Sequence, residues 1–190
     1  MEAGITEIYL LGANALGFVS VLLSKKKEGG REILPFIISF LGGAAGTALS
    51  YLLFSRKPDK ENMTTRVAVS CLVVTDTICY LMYRGFMHSP VTFAFWIILS
   101  KYPPALAYLA FVNVLTFFFF FLDKKNAEKG KKRVKITTLL SLSAIGGSIG
   151  ATVAMYSLRH KTQKAYFSVG VPLIAATQVF LLFYLSNTVL

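Results

Sequence analysis

The stretch Gly146-Gly147-Ser148-Ile149-Gly150 is followed by Arg159-His160-Lys161, and an earlier part of the chain repeats this pattern. There, Gly42-Gly43-Ala44-Ala45-Gly46 precedes Ser55-Arg56-Lys57. In both places 15 residues separate the first Gly from the final Lys. Both glycine clusters lie in hydrophobic sequence, so the repeated unit is typical of a membrane protein.

A second spacing recurs upstream of each glycine cluster. Asn14 precedes Ser24-Lys25-Lys26 by 10 residues, and Asn113 precedes Asp123-Lys124-Lys125 by 10 residues. Because two independent spacings recur with matched residue types, we infer an internal duplication.

The composition indicates a polytopic, all-α membrane protein. Hydrophobic residues make up 55% of the 190 residues, against roughly 45–50% in soluble domains. About 20 apolar residues cross a bilayer as a helix, and no period-2 alternation suggests barrel strands. Six transmembrane helices are therefore predicted, at 6–23, 33–54, 64–83, 104–122, 136–158 and 165–187. We expect a multi-pass protein in the cell membrane of a prokaryote.

The spans divide the chain into two three-helix repeats. Residues 1–84 form the first, degenerate repeat, and residues 104–190 form the second. The linker 85–103 contains an apolar run, Val91–Leu99, that is too short to cross and predicts a short interfacial or re-entrant helix. Three spans per repeat would insert the second repeat upside down, so inverted repeats are expected.

The charge balance predicts membrane lipids as partners. The formal net charge is +11, and the Lys and Arg residues collect in the connections between the apolar stretches. Basic loops at membrane ends contact anionic headgroups. The loops are too short for an independent nucleic-acid-binding fold, so nucleic acid is not expected as a partner. A homo-oligomer stays an open alternative.

The glycine clusters predict close helix packing. Gly42 with Gly46, and Gly146 with Gly150, form GxxxG motifs that let another helix approach. Alternatively, these glycines soften the helix and expose backbone carbonyls. The two motifs could also meet and hold the repeats together. The predicted packing residues are Gly42, Gly46, Gly146, Gly147, Ser148 and Gly150.

Four polar residues inside the spans are candidates for a substrate or ion site. Asp76 lies near the middle of the third span, where a carboxylate costs about 2.5–3.5 kcal/mol on insertion scales. It is either a proton-relay or cation-binding group, or a protonated residue in helix packing. Asn14, Asn113 and Gln178 are uncharged candidates that commonly join helices by hydrogen bonds.

A second group of candidates lies at the membrane edge, at Asp123, Lys124, Arg159, His160, Lys161 and Thr162. The tetrapeptide Arg159–Thr162 is typical of an interface anchor, because cations complement a helix C-terminus. Alternatively, its cations and hydroxyl grip a phosphate, with His160 moving a proton. Asp123 is expected to pair locally, with Lys124 or Arg133.

The sequence contains no pattern typical of an enzyme or a cofactor site. It lacks a Ser-His-Asp set, a Cys/His metal cluster and a nucleotide-binding glycine loop after a strand. We therefore expect no metal and no cofactor, and an enzyme is the less favoured class.

The second repeat resembles a bacterial and archaeal family of small, three-span membrane proteins catalogued as a domain of unknown function. The resemblance rests on three ordered motifs, Phe121–Ala127, Gly146–Ala151 and Arg159–Lys164. It implies that Asp-Lys, Gly-Gly-Ser-x-Gly and Arg-His-Lys-Thr are the signature elements. The first repeat departs from this pattern at Ser24 and at Ser55–Pro58. If the signature residues carry an activity, the first repeat has lost it and serves as a structural partner of the second repeat.

Three functions remain as alternatives. The first is a small transporter or channel-like protein with a site at the repeat interface. The second is a lipid-headgroup-binding or lipid-modifying protein, at the extreme a methyltransferase-like enzyme. The third is a membrane anchor or scaffold with basic loops.

Overall fold

A computed structural model describes residues 2–24, 33–54, 62–87, 91, 93 and 100–189. These residues form helices and turns without strands, and six helices are long and apolar enough to span a membrane. The protein is thus a polytopic, all-α membrane protein, as predicted. Most of the predicted short helix at Val91–Leu99 lies outside the described residues, as do Lys25, Lys26 and Ser55–Pro58.

The chain forms two compact units, Met1–Tyr80 and Leu81–Leu190. In the first unit, the helices are α1 (Glu2–Ser24), α2 (Ile33–Ile38), α3 (Ala44–Phe54) and α4 (Met63–Tyr83). In the second unit, they are α5 (Pro103–Glu128), α6 (Ile136–Leu142), α7 (Ser148–Ser157), α8 (Ala165–Ser168) and α9 (Gly170–Val189). A wide turn joins α2 to α3 at Ser39–Gly43, and another joins α6 to α7 at Ser143–Gly147.

Each wide turn breaks its helix at one glycine with a positive φ. Gly42 has φ 94° and Gly146 has φ 125°. A side chain at such a φ would clash with the backbone, whereas glycine adopts it freely and commonly ends helices in this way. The second apolar segment of each unit is therefore two helices rather than one.

An asparagine from the first helix of each unit satisfies the broken backbone. The Asn113 amide donates to the carbonyl oxygen of Gly146 at 2.9 Å, and its own oxygen accepts from the Gly150 N–H at 2.7 Å. Asn14 makes the same two bonds, with Gly42 at 3.2 Å and Gly46 at 2.7 Å. A break left unsatisfied in a membrane would cost several kcal/mol for each open group.

The broken segment of the second unit doubles back on itself. A straight helix over the 22 residues Ile136–Ser157 would separate its ends by about 33 Å. Instead, Val134 before the segment and His160 after it both bind the carboxylate of Asp123, each at 2.9 Å. Both ends of this helical hairpin therefore lie at the C-terminal end of α5.

Contacts in the first unit indicate that its broken segment also doubles back as a helical hairpin. The Phe18 and Phe54 rings meet edge to face with centroids 5.8 Å apart. Val21, near the end of α1, packs with Tyr51 of α3 and Val69 of α4 in one buried cluster. The end of α3 thus lies beside the end of α1, so the two helices run in the same direction.

The small residues after each break are covered within their own unit. A Cβ atom on Gly46 would overlap the backbone of Asn14, and one on Gly150 would overlap the backbone of Asn113. Each motif therefore packs on the first helix of its own unit.

In each unit, a threonine side chain packs at the contact between the first helix and the hairpin. This threonine belongs to the first helix in one unit and to the hairpin in the other. In the second unit, Thr116 of α5 fills the space beside Gly147. In the first unit, a Cβ atom on Gly17 of α1 would overlap Thr47 of α3. Counted from Asn14 and from the break, Gly17 corresponds to Thr116 and Thr47 to Ala151. Each unit thus has one Thr and one small residue at this contact.

The doubling back changes the membrane path that the sequence suggested. A hairpin that enters and leaves at one end leaves two full-length helices per unit, α1 and α4 or α5 and α9. The expectation of inverted repeats required three crossings in each repeat, and the hairpin removes that basis.

We predict that Lys131→Cys and Gln163→Cys, which flank the hairpin, react with an impermeant maleimide from the same side of the membrane. Both positions are exposed, and Cys71 and Cys79 are first replaced by alanine. Tyr102→Cys, exposed at the opposite end of α5, is the control and should react from the other side. Labelling of Lys131→Cys and Gln163→Cys from opposite sides would rule out the hairpin.

Candidate functional site

The best-defined candidate site lies at the C-terminal end of α5, around the buried carboxylate of Asp123. The side chain of Asp123 is 0% exposed. Its Oδ1 accepts the Val134 N–H, and its Oδ2 lies 2.9 Å from His160 Nε2 and 2.6 Å from Lys161 Nζ. We call Asp123, His160 and Lys161 the Asp123 cluster. One carboxylate thus joins α5 to both flanks of the hairpin.

The partners of Asp123 differ from those expected from the sequence. Lys124 pairs with Glu128 on its own helix, at 3.6 Å, because it lies on a more exposed face of α5. His160 and Lys161 are 37 and 38 residues away in sequence, and the doubling back alone brings them within reach. The cluster unites two of the three signature motifs.

The loop after α7 holds an uncommon backbone conformation. Arg159 has φ 47° and Lys161 has φ 62°, although neither is glycine. Each such residue costs roughly 1–2 kcal/mol, and strained backbone of this kind is typical of sites where surrounding contacts hold it in place. Here the bonds from His160 and Lys161 to Asp123 supply those contacts.

Lys161 is nearly enclosed by its partners. Its ammonium lies 4.8 Å from the centroid of the Phe167 ring, which itself packs edge to face on Phe120. Burial lowers the pKa of Lys161 from its ordinary value, and Arg133 acts in the same direction, whereas Asp123 opposes both. The ammonium is thus mainly a structural partner of Asp123.

Arg159 and Thr162 lie in the same loop with their side chains available. Arg159 is exposed and Thr162 is partly exposed. No hydrogen bond or ion pair joins either side chain to another part of the described chain. A guanidinium and a hydroxyl are groups that bind phosphate oxygens.

Asn14, Asn113 and Gln178 lie elsewhere, near the two helix breaks. Both asparagine amides are occupied by backbone groups, as described above. The Gln178 amide donates to the carbonyl oxygens of Ser143 and Ala144, at 2.8 and 2.9 Å, and its own oxygen accepts the Ser148 hydroxyl. These three residues therefore act in helix packing.

Asp76 of α4 differs from these three. The Ala44 backbone N–H lies near its carboxylate and favours the charged form. One carboxylate oxygen, Oδ2, is buried and has no hydrogen-bond partner among the described residues. Among the four intramembrane candidates, Asp76 is thus the one with a buried oxygen atom that could still bind a ligand.

Sequence reasoning missed two tyrosines at the breaks. Tyr9 donates to the Leu41 carbonyl and Tyr108 to the Ile145 carbonyl, both at 2.8 Å. Each precedes its asparagine, Asn14 or Asn113, by five residues. That shared spacing was the available signal.

Comparisons with known proteins match the region that contains this site. The profile of the family described as "Protein of unknown function (DUF1294)" matches residues 113–167, from the asparagine at the break to the ring beside Lys161. The chain is 33% identical over 76 residues to "Uncharacterized protein YsdA" of Bacillus subtilis (strain 168). That match covers 40% of this chain and 85% of the relative. No solved structure matches the chain.

The fold and the site define a polytopic helical membrane protein with a charged cluster at one end of its second unit. The chain belongs to the DUF1294 family of proteins of unknown function.

We predict that Asp123→Asn destabilises the protein by about 3–5 kcal/mol, because it leaves a buried lysine without its counter-charge. The control Glu128→Gln breaks an exposed pair and should cost at most about 1 kcal/mol. Thermal unfolding of the detergent-solubilised protein measures both. Adding Lys161→Met to Asp123→Asn should recover part of the loss. Equal, small effects of Asp123→Asn and Glu128→Gln would contradict the role assigned to the cluster.

Proposed function

We propose that the protein is a lipid-handling membrane protein that binds the phosphate of anionic headgroups beside the Asp123 cluster. The observation that carries this proposal is that Asp123 holds the loop of residues 158–164 in place, while the side chains of Arg159 and Thr162 have no partner among the described residues. A loop that is fixed before binding loses little conformational freedom when a ligand arrives.

The charge of this end of the second unit supports an anionic ligand. The hairpin brings the segments 123–135 and 158–164 to the same end, and together they contain ten Lys or Arg residues against two acidic residues, Asp123 and Glu128. Such an excess also favours the cytoplasmic side under the positive-inside rule. Anionic lipids give that leaflet its negative surface potential. We also propose that this membrane is the cell membrane of a prokaryote, and the resemblance to a protein of Bacillus subtilis supports this location.

Arg159 is the group best suited to recognise the phosphate. Its planar guanidinium can donate two parallel hydrogen bonds to phosphate oxygens, which an ammonium cannot. Thr162 can add a neutral hydrogen bond. Asp123 does not contact the lipid in this proposal, because it is wholly buried, and acts as a positioning residue.

A lipid-modifying activity is the second candidate, and one contact favours it. Asp123 binds one nitrogen of His160, at 2.9 Å, and an imidazole oriented by a buried carboxylate is a common general base. The side chain of His160 is 18% exposed, so its other nitrogen could reach a headgroup. Under this alternative His160→Gln would abolish turnover of the lipid while binding persists.

The transporter and scaffold alternatives have less support. Three of the four residues proposed for a transport site, Asn14, Asn113 and Gln178, make hydrogen bonds within the protein. Asp76 alone remains for that role. A scaffold would depend on the basic loop 124–135 and would tolerate changes at Arg159.

We also infer that the two units arose by duplication. The matching hydrogen bonds of Tyr9 and Tyr108, and of Asn14 and Asn113, support this origin. The relative YsdA supports it too, because 40% of this chain corresponds to 85% of that protein, which makes it a little under half as long. The Asp-Lys and Arg-His-Lys-Thr motifs would then be signature elements kept by the second unit alone.

We predict that Arg159→Gln weakens binding of phosphatidylglycerol about tenfold or more, the effect of losing one charged hydrogen-bond pair. Native mass spectrometry of protein titrated with this lipid and with phosphatidylcholine measures the binding. Lys129→Gln is the matched control, since it removes one exposed charge near the same end. Equal losses in both variants would indicate general attraction and overturn the proposed site. Unchanged binding in both would do so as well.

A further inference from the structure

The third helices of the two units place different side chains against the helix break. Thr75 and Thr177 each donate to the carbonyl four residues earlier, at 3.0 and 2.9 Å. The next residue is Asp76 in the first unit and Gln178 in the second. The two residues therefore correspond in sequence.

In the second unit, Gln178 provides both an acceptor and donors. Its oxygen accepts from the side chain of Ser148, the first residue of α7. Its amide nitrogen donates to the carbonyl oxygens of Ser143 and Ala144. These two carbonyls lie in the wide turn, just before Gly146. The positive end of the amide dipole thus lies against two carbonyl oxygens.

In the first unit, half of this arrangement is kept. Asp76 lies near the backbone N–H of Ala44, the first residue of α3 and the counterpart of Ser148. Counted from Gly42, the carbonyls of Ser39 and Phe40 correspond to those of Ser143 and Ala144. A carboxylate has no proton to donate to them, and the buried Oδ2 of Asp76 has no partner among the described residues.

We propose that the first unit binds a single cation, a proton or Na⁺, between Oδ2 of Asp76 and the carbonyl oxygens of Ser39 and Phe40. The cation replaces the amide protons that Gln178 supplies in the second unit. A carboxylate with helix-break carbonyls is a set of hard oxygen ligands, which suits either ion. This site is independent of headgroup binding at Arg159.

The position of Asp76 makes an occupied site the favourable state. Asp76 lies 13 residues after Met63, the first residue of α4, which is about 20 Å along the helix. A bare carboxylate facing carbonyl oxygens at that depth would meet repulsion and loss of hydration together. Non-helical backbone is tolerated in a membrane where it is enclosed by protein or lines a polar cavity.

Few ionisable groups share the three helical elements around this site. Apart from Asp76, they are Glu2, Glu7, Tyr9, Tyr51, Arg66, Cys71, Cys79, Tyr80 and Tyr83. Of these, Cys79 interacts electrostatically with Asp76, so Cys79→Ala serves as a control for any pH effect. Arg66 lies over the Tyr51 ring, at 4.9 Å.

The test compares thermal unfolding of the solubilised wild type, Asp76→Gln and Gln178→Glu between pH 5 and pH 9. Each is measured in sodium and in choline chloride of equal concentration. The wild type should lose stability as pH rises in choline, by roughly 4 °C or more in Tm. Asp76→Gln should fold with a Tm that does not change in this way, because its amide can repeat the bonds of Gln178. Gln178→Glu should acquire an additional dependence of the same sign.

The sodium series identifies the ion. If sodium restores the Tm of the wild type at pH 9 and leaves Asp76→Gln unchanged, the site binds Na⁺. If the pH dependence is the same in both salts, the ligand is the proton. The proposal is overturned if Asp76→Gln keeps the wild-type dependence, or if it is less stable than the wild type at every pH.

Discussion

One side-chain amide in each unit allows a helix to reverse direction inside a membrane. When Gly146 leaves the helical conformation, a carbonyl on one side of the break and an N–H on the other lose their partners. Asn113 satisfies both, since an amide donates and accepts at once. A carboxylate or a hydroxyl of similar size could not bond both groups as well. The hairpin depends on this interaction, and the arrangement at the end of the hairpin depends on the hairpin.

The apolar spans and the repeat could be predicted because they depend on local patterns. Hydropathy measures the length of an apolar segment, and six segments long enough to cross a membrane are present. It does not show whether the chain reverses direction within the segment. A hairpin of 22 residues therefore has the same hydropathy as a straight span. The glycines at 42 and 146 were recognised, yet GxxxG packing and a positive φ at the first glycine have the same sequence pattern.

The sequence allowed the residues of the candidate site to be predicted, but not the contacts between them. Asp123, His160 and Lys161 were identified as candidates by residue type and position. Two straight, consecutive spans, however, would place Asp123 on one side of the membrane and His160 with Lys161 on the other. With the hairpin, the basic loops of the second unit collect at one end of that unit. Asn14, Asn113 and Gln178 were identified as polar residues, whereas their partners are backbone groups that only the break makes available.

The threonine at the contact between the first helix and the hairpin is Thr116 of α5 in the second unit and Thr47 of α3 in the first. This difference limits which helices could be exchanged between the two units. Placing a threonine at Gly17 would bring it against Thr47, and removing the hydroxyl of Thr116 alone would leave a void beside Gly147. A chimera that joins α1 to the hairpin of the second unit would thus lack this hydroxyl altogether, while the reverse chimera would have it twice. The helical hairpins of the two units are therefore not interchangeable without a compensating change at this contact.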